Sequence, residues 1–310
     1  MGTAARFFCL DTVMIDVVMK VATLPQRGGD AVSSQYLVTS GGGFNSMSAA
    51  SRHGMSSVYV GRLGTGPFSS IAREQLGRED IAVEVAAEPA SDIGFCLVMV
   101  DEQGERTFIT APGAEGTLRT SDLAGLDIAS GDYVFLSGYN FVYPALGAVI
   151  APWVAALADG VVVALDPGPR VRDIVPEMLR SVLSRADWFL CNADEATQLT
   201  GVAGSQESAS ALLDVTGRRG VVVREGAYGC VVVARGTEPV LIEGFTVEVI
   251  DTNGAGDIHD GVFLSELARG TATAEAARRA NAAAAMSIGV FGPATCPVRD
   301  EVSRWYGQFS

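Results

Sequence analysis

Lysine is almost absent from this chain: Lys20 is the only one among 22 Lys and Arg residues. No GxxxxGK[ST] phosphate loop can therefore exist, nor the strand lysine of a protein kinase. His53 and His259 are the only histidines. A multi-histidine metal site is thereby excluded, and a Ser-His-Asp triad is left with two candidate bases. The five cysteines (Cys9, Cys96, Cys191, Cys230, Cys296) lie far apart without a CxxC. They read as reduced core residues of a cytoplasmic protein.

Net charge is −14, with no basic tail or patch, which argues against nucleic acid or an anionic membrane as partner. Long apolar runs are missing too. The longest, "ALGAVIAPWVAALADGVVVAL" (145–165), is broken by Pro152, Asp159 and Gly160. It reads as a helix, a turn and a buried strand, not a membrane span. "MGTAARFFCLDTVMID" carries an acidic residue inside its would-be apolar region, so no signal peptide is read there. An early GxGxxG is also absent. The nearest string, "GTGPFS" (64–69), lacks the third Gly and puts Pro at the helix start, against a dinucleotide-dependent dehydrogenase.

The chain does have 310 residues and 48% hydrophobic content, enough for a large single core. From residue ~120 onward, apolar strand runs alternate with helical patterns. "DYVFLSG", "VVVALDP", "DWFLCN" and "GVVVREG" read as strands, and so does "FTVEVIDT" before two closing helices. This pattern predicts a parallel sheet covered on both faces, with ligands at the carboxyl ends of its strands. Earlier, "FFCLDTVMIDVVMKVATL", "AVSSQYLVTS" and "IGFCLVMVDEQGERTFITAPG" read as strands joined by short turns, with "EQGE" (102–105) as a hairpin turn. They predict a small antiparallel sheet acting as a lid, at about 12–40 and 92–112, within one domain spanning 1–310. Val13, Ile15 and Val17 would give that lid an apolar face, suited to pairing two subunits.

Four stretches carry chemistry. "DTNGAGD" (251–257) lies between an alternating run and "IHDGVFLSELARG", whose Ile258, Val262, Phe263 and Leu267 have helical spacing. Gly254 and Gly256 at a helix start leave N–H groups free to hold an anion. Asp257 can then take a proton from an attacking hydroxyl, or simply cap the helix. At a helix N-terminus its pKa should be low. "NADE" (192–195) is either a capping box or a contact to Mg²⁺ and phosphate through water. "SGGGFN" (40–45) puts glycines before Asn45, either as a plain turn or so that a polyol can approach the backbone. Asp16, in apolar "VMIDVVM", needs a partner such as two sugar hydroxyls unless it faces water on an edge strand.

Together these stretches resemble the ribokinase-like, or PfkB, family of carbohydrate kinases over nearly the whole chain. Supporting strings are "GRLGTGPF", "DPGPR", "REGAYG" and "ANAAAAMSI". The resemblance implies a three-layer α/β/α body with a mainly parallel sheet plus a small antiparallel β lid. It implies an ATP- and Mg²⁺-dependent kinase acting on a hydroxyl of a small ribose- or fructose-like sugar. Asp257 would be the base, and the N–H groups of Gly254, Ala255 and Gly256 the anion hole. Asp16, Gly41, Gly42 and Asn45 would contact the sugar. Asn192 and Glu195 would meet phosphate and Mg²⁺, while Arg224, Gly226, Gly229 and Asn281 would belong to the nucleotide site. K⁺ would sit by Asp251 and the Asn253 carbonyl, aided by carbonyls of the loop 287–297.

Several positions depart from the family pattern. Ser40 stands for a common Gly, Gly66 for a common Asp, Arg224 for a common Thr, and "IHDG" for "TFNG". Tyr139 and Asn140 lie where ribokinases carry a sugar-binding Glu. His259 is expected to pack or to sit on the rim. Two alternatives stay open: a nucleoside kinase of the same superfamily, or a non-catalytic binding relative.

Overall fold

Runs rich in valine become strands when both sheet faces are covered, because β-branched side chains pack well on a pleated surface. The computed structural model describes residues 4–103, 105–216 and 218–308. Its strands, in chain order, are β1 Arg6–Cys9, β2 Val13–Lys20, β3 Gln35–Gly42, β4 Ser56–Tyr59, β5 Ala82–Val83, β6 Phe95–Val100 and β7 Arg106–Ala111. They continue with β8 Tyr133–Ser137, β9 Val162–Asp166, β10 Trp188–Asn192, β11 Gly220–Arg224, β12 Gly229–Ala234 and β13 Val240–Glu243.

Nine strands form one sheet in the order β13-β12-β11-β10-β9-β8-β1-β4-β5. From β11 to β5 every pair is parallel, and β12 and β13 are antiparallel. Each face has its own core. One holds Phe7, Trp188 and Phe263 with helices Gly43–Arg52, Ala255–Ala268 and Thr273–Ser287. The other holds Phe8, Ile150 and Leu212 with helices Pro144–Ala155, Pro176–Leu183 and Ser205–Thr216. Adjacent Phe7 and Phe8 fall on opposite faces, as the two-residue strand period requires. This is the expected α/β/α layering.

The second sheet has the order β3-β2-β6-β7. Its outer pairs are antiparallel, while the central pair, β2 with β6, runs parallel. β6 and β7 flank the expected "EQGE" turn, of which Gly104 lies outside the described residues.

Some expectations are corrected. β1, expected among the lid strands, lies inside the large sheet between β8 and β4. Val13 and Ile15 are fully buried rather than exposed, because β2 lays them onto the body core. Cys96 is only half-buried, although all five cysteines are free. Residues 245–250 are not a strand despite their alternation. β13 already occupies that sheet edge, and the segment is anchored instead by the Ile250 and Asp251 N–H groups on the Ile288 carbonyl, at 2.8 and 3.0 Å. The helix Arg299–Tyr306 follows the two expected closing helices. Gly66 also has a clear reason. Asp92 accepts the N–H groups of Phe68 and Ser69 at 2.9 and 2.7 Å, and a Cβ at 66 would sit 2.4 Å from its carboxyl group. Asp92 thus caps the helix Pro67–Arg78 from outside.

Candidate active site

Parallel strands align their carboxyl ends, and the polar residues of this chain collect there. Asp11 follows β1, Asp166 ends β9, Asn192 ends β10 and Arg224 ends β11. Asn192 is in register with Arg224, and Ser137 of β8 with Asp166.

The "DTNGAGD" turn faces this row. Gly254 caps the helix Ala255–Ala268 at φ 75°, a left-handed conformation that glycine adopts at little cost. The Ile258 N–H bonds the Gly254 carbonyl at 2.9 Å and the Ala255 N–H reaches back to the Thr252 carbonyl at 3.4 Å, which leaves the Gly256 and Asp257 N–H groups for an anion. Asp257 is half-buried in the first turn, and the Asn45 amide donates to its Oδ2 at 2.8 Å. Its pKa is raised to about 6, which overturns the expected low value. Burial is the main cause, and Asp166 adds to it. Asn45 and Arg224 oppose. Desolvation here outweighs the helix dipole.

Asn45 and Gly41 bring the "SGGGFN" segment and Asp16 to the same place. A Cβ on Gly41 would lie 2.2 Å from the Asp16 carboxylate, so only glycine leaves room for it. β2 is a central strand of the smaller sheet, so Asp16 is not an edge residue facing water. Burial first, then Asp257, raise the Asp16 pKa to about 7, against a hydrogen bond from Asn253. Gly42, at φ 60°, turns the chain from β3 into the helix carrying Asn45. Tyr139 is partly exposed near this cluster, and Asp11 and Asp257 help burial to raise its pKa to about 12. Asn140 is structural: it donates to the Leu10 carbonyl at 2.8 Å and accepts from the Ser137 N–H, tying β8 to β1.

On the other side of the turn opens a cavity of about 500 Å³. Asn192, Arg224, Gly226, Gly229, Gly256 and Asn281 all line it, as does Ala255. The Asn281 amide is committed to the carbonyls of Ile242 and Glu243, so it shapes the wall of the cavity. His259 also lines it, buried and stacked on Phe263. Burial and the Arg224 charge lower its pKa to about 3, so the ring is neutral. Glu195 lies behind this wall: the capping box is present, with both bonds to Asn192 at 2.8 Å. Burial and Asp166 raise the Glu195 pKa to about 7.

Arg224 sits at the junction of the two sides. Its guanidinium donates to Asp166 at 2.7 Å and to Asp260. A Cβ on Gly256 would lie 3.5 Å from its central carbon. Burial alone would lower the Arg224 pKa, but Asp260, Asp166 and Glu195 reverse this and raise it. Arg224 and the Asp of "IHDG" are thus one ion cluster, and the two departures explain each other.

Several residues escaped the sequence reading. Asp11 is buried, and burial with Asp257 raises its pKa to about 8. Its position just past a strand end was the available signal. Asp166 stood inside "DPGPR" and Asp260 inside "IHDG" without an assigned role. Nothing local marks Arg106, which bonds Asp251 from 145 residues away.

Among known proteins, the model of the pfkB family carbohydrate kinases matches residues 4–300. The sugar kinase YegV of Escherichia coli (strain K12), itself uncharacterised, is 31% identical over 97% of this chain and 94% of its own. The ribokinase of Haemophilus influenzae is 28% identical over 94% and 95%. A provisionally assigned ribokinase II of E. coli, solved with ATP and Mg²⁺, superposes with a TM-score of 0.84 at 19% identity, covering 98% of this chain and 99% of that one. The strand-end site, its glycine turn and these likenesses agree: the chain belongs to the pfkB family of carbohydrate kinases and is a sugar kinase, a phosphotransferase with an alcohol group as acceptor.

Proposed function

We propose that this kinase transfers the γ-phosphoryl group of ATP to a primary hydroxyl of a small monosaccharide of ribose or fructose size. The Asn45–Asp257 hydrogen bond of 2.8 Å carries this reading, because it joins the polyol-binding segment to the carboxylate beside the glycine turn. The sugar lies against Gly41 and Gly42, with Asp16, Asn45 and Tyr139 around it. Its hydroxyl oxygen bonds to the γ-phosphorus while the bond from that phosphorus to the β–γ bridging oxygen breaks. The hydroxyl proton passes to Asp257, and ADP leaves. A pKa of about 6 suits a base that must be ionised at neutral pH yet accept a proton. The N–H groups of Gly254, Ala255 and Gly256 hold the transferring group, and Arg224 adds positive charge behind Gly256. Such transfer passes through a loose transition state, so placement and charge neutralisation dominate.

The nucleotide occupies the cavity lined by Gly226, Gly229 and Asn281. Mg²⁺ belongs to the proposal as an ion carried by the nucleotide phosphates. No cluster of three or more His, Cys, Asp or Glu side chains among the described residues is placed to bind it directly. Asp166 and Asp260 already bond Arg224, and Glu195 bonds the Asn192 N–H. Such oxygens suit an ion that keeps its waters, with Asn192 and Glu195 holding that water shell. The ion supplies charge neutralisation on the phosphates. The single domain 1–310, a cytoplasmic location and pairing of two copies through the lid belong to the same proposal. With Val13 and Ile15 buried, exposed Val32, Tyr36, Phe108 and Ile109 are among the apolar residues available for that pairing. A monomer by light scattering contradicts the pairing.

The test is ADP release in Mg-ATP across pentoses, hexoses, ketoses, sugar acids and nucleosides. Turnover of ribose or fructose at the highest kcat/KM is expected. A preference for nucleosides would replace this reading with a nucleoside kinase.

A further inference from the structure

β7 begins with an arginine whose charge ends up at the glycine turn. One guanidinium nitrogen of Arg106 donates to Asp251 Oδ1, and the other terminal nitrogen donates to Thr252 Oγ1 at 3.1 Å. Asp251 opens the turn that carries Gly254 to Asp257. Its Oδ1 also accepts the Asn253 N–H at 2.9 Å, and its Oδ2 the Gly292 N–H at 3.0 Å. Both oxygens of this buried carboxylate are therefore taken.

This is where the family resemblance implies a monovalent cation, with further carbonyls from the loop 287–297. Four of those carbonyls are engaged as well. The Ser287 carbonyl accepts the Val290 N–H and the Thr295 hydroxyl, at 3.1 and 3.0 Å. The Ile288 carbonyl accepts two N–H groups, and the Ala294 and Cys296 carbonyls accept Arg52 at 3.0 and 2.6 Å. A K⁺ ion needs several free oxygens converging on one point. The residues present do not fit it, because a guanidinium already stands against the Asp251 carboxylate.

We propose that Arg106 replaces the cation: a positioning residue, sent from the lid, that fixes the Asp251 carboxylate and through it the glycine turn. The inference rests on the reading that this turn holds the transferring phosphoryl group. A tethered charge needs no dissolved ion, so turnover is independent of K⁺. It also makes the placement of the turn depend on the lid, which carries Asp16 to the sugar. Misplacement of a positioning element lowers the rate of the chemical step more than it lowers nucleotide affinity.

The experiment compares wild type, Arg106→Lys and Arg106→Ala in saturating Mg-ATP and the best acceptor. K⁺ is replaced by tetramethylammonium at equal ionic strength. Wild-type kcat should stay within about twofold when K⁺ is removed, and Arg106→Lys should keep most of it. Arg106→Ala should lose kcat by ~10- to 100-fold with the KM for ATP nearly unchanged. Added guanidinium or K⁺ should restore part of that loss. In thermal unfolding, KCl should raise the midpoint of Arg106→Ala above its value in tetramethylammonium chloride and leave wild type unmoved. A tenfold fall of wild-type kcat without K⁺ would overturn the proposal. So would an Arg106→Ala loss that neither ion reverses. Wild-type turnover by Asp257→Asn would instead overturn the reading of the turn.

Discussion

In β11, Val221, Val222 and Val223 are all buried; in β7, Thr107, Phe108, Ile109 and Thr110 are all exposed. Helices cover both faces of the first sheet, whereas the second covers the body with one face only. The two sheets also deliver chemistry differently. The body sheet places Asp166, Asn192 and Arg224 at strand ends, where parallel register aligns them. The smaller sheet places Asp16 within β2 and Arg106 at the start of β7, so their positions depend on how that sheet lies on the body. Body changes should therefore act on stability and on the chemical step, whereas changes in the smaller sheet should act on sugar affinity at Asp16 and on the chemical step at Arg106, which reaches the glycine turn.

The largest expected effect is in the body. Phe263 is fully buried on the helix that carries Asp257 and packs edge-on against Trp188, with ring centroids 5.0 Å apart. Phe263→Ala should cost ~4 kcal/mol in denaturant unfolding. A loss below ~1 kcal/mol would mean that this face is not a packed core.

Next comes Asp16→Ala, which should raise the KM for sugar ~10- to 100-fold and leave the KM for ATP within about twofold. Its stability effect has a definite sign. The folded pKa of Asp16 is raised to about 7 from 3.8, so its ionisation disfavours the fold increasingly as pH rises from about 4 through 7. At pH 8 the variant should unfold no earlier than wild type. Lost ATP affinity, with sugar affinity intact, would place Asp16 elsewhere in the mechanism.

The smallest effect is a shift of a pH profile. kcat/KM should fall as pH drops through about 6, where Asp257 takes up a proton. Asn45 holds that pKa down by donating to the carboxylate, while burial and Asp166 push it up. Asn45→Ala should therefore move the acid limb upward, by ~1 pH unit. An unmoved limb would assign it to another group.

The contrast between the sheets also sets what could be read beforehand. Continuous apolar runs such as "GVVVREG" and "DWFLCN" marked the body strands, because burial on both faces leaves a plain signal. The signature glycines marked the turn and the polyol segment. The run "FTVEVI" misled, because alternation alone does not show that a sheet edge is already occupied by β13. β1 was misplaced because its three apolar residues, Phe7, Phe8 and Cys9, look the same in either sheet. Asp257 looked like a low-pKa cap because burial is not visible in one dimension. The Arg224–Asp166–Asp260 cluster and the Arg106–Asp251 pair span 58, 36 and 145 residues. Their partners are chosen by the fold, so the sequence showed the charges and not their pairing.

The most direct test of the central claim, that Asp257 beside the glycine turn takes the proton of the acceptor hydroxyl, is single-turnover transfer by Asp257→Asn. The side chain keeps its size, so thermal unfolding and nucleotide affinity should stay close to wild type. The rate of phosphoryl transfer should fall ~10²- to 10⁴-fold, and the acid limb near pH 6 should vanish from what remains. A variant that transfers phosphoryl at the wild-type rate, with the limb in place, would contradict the account.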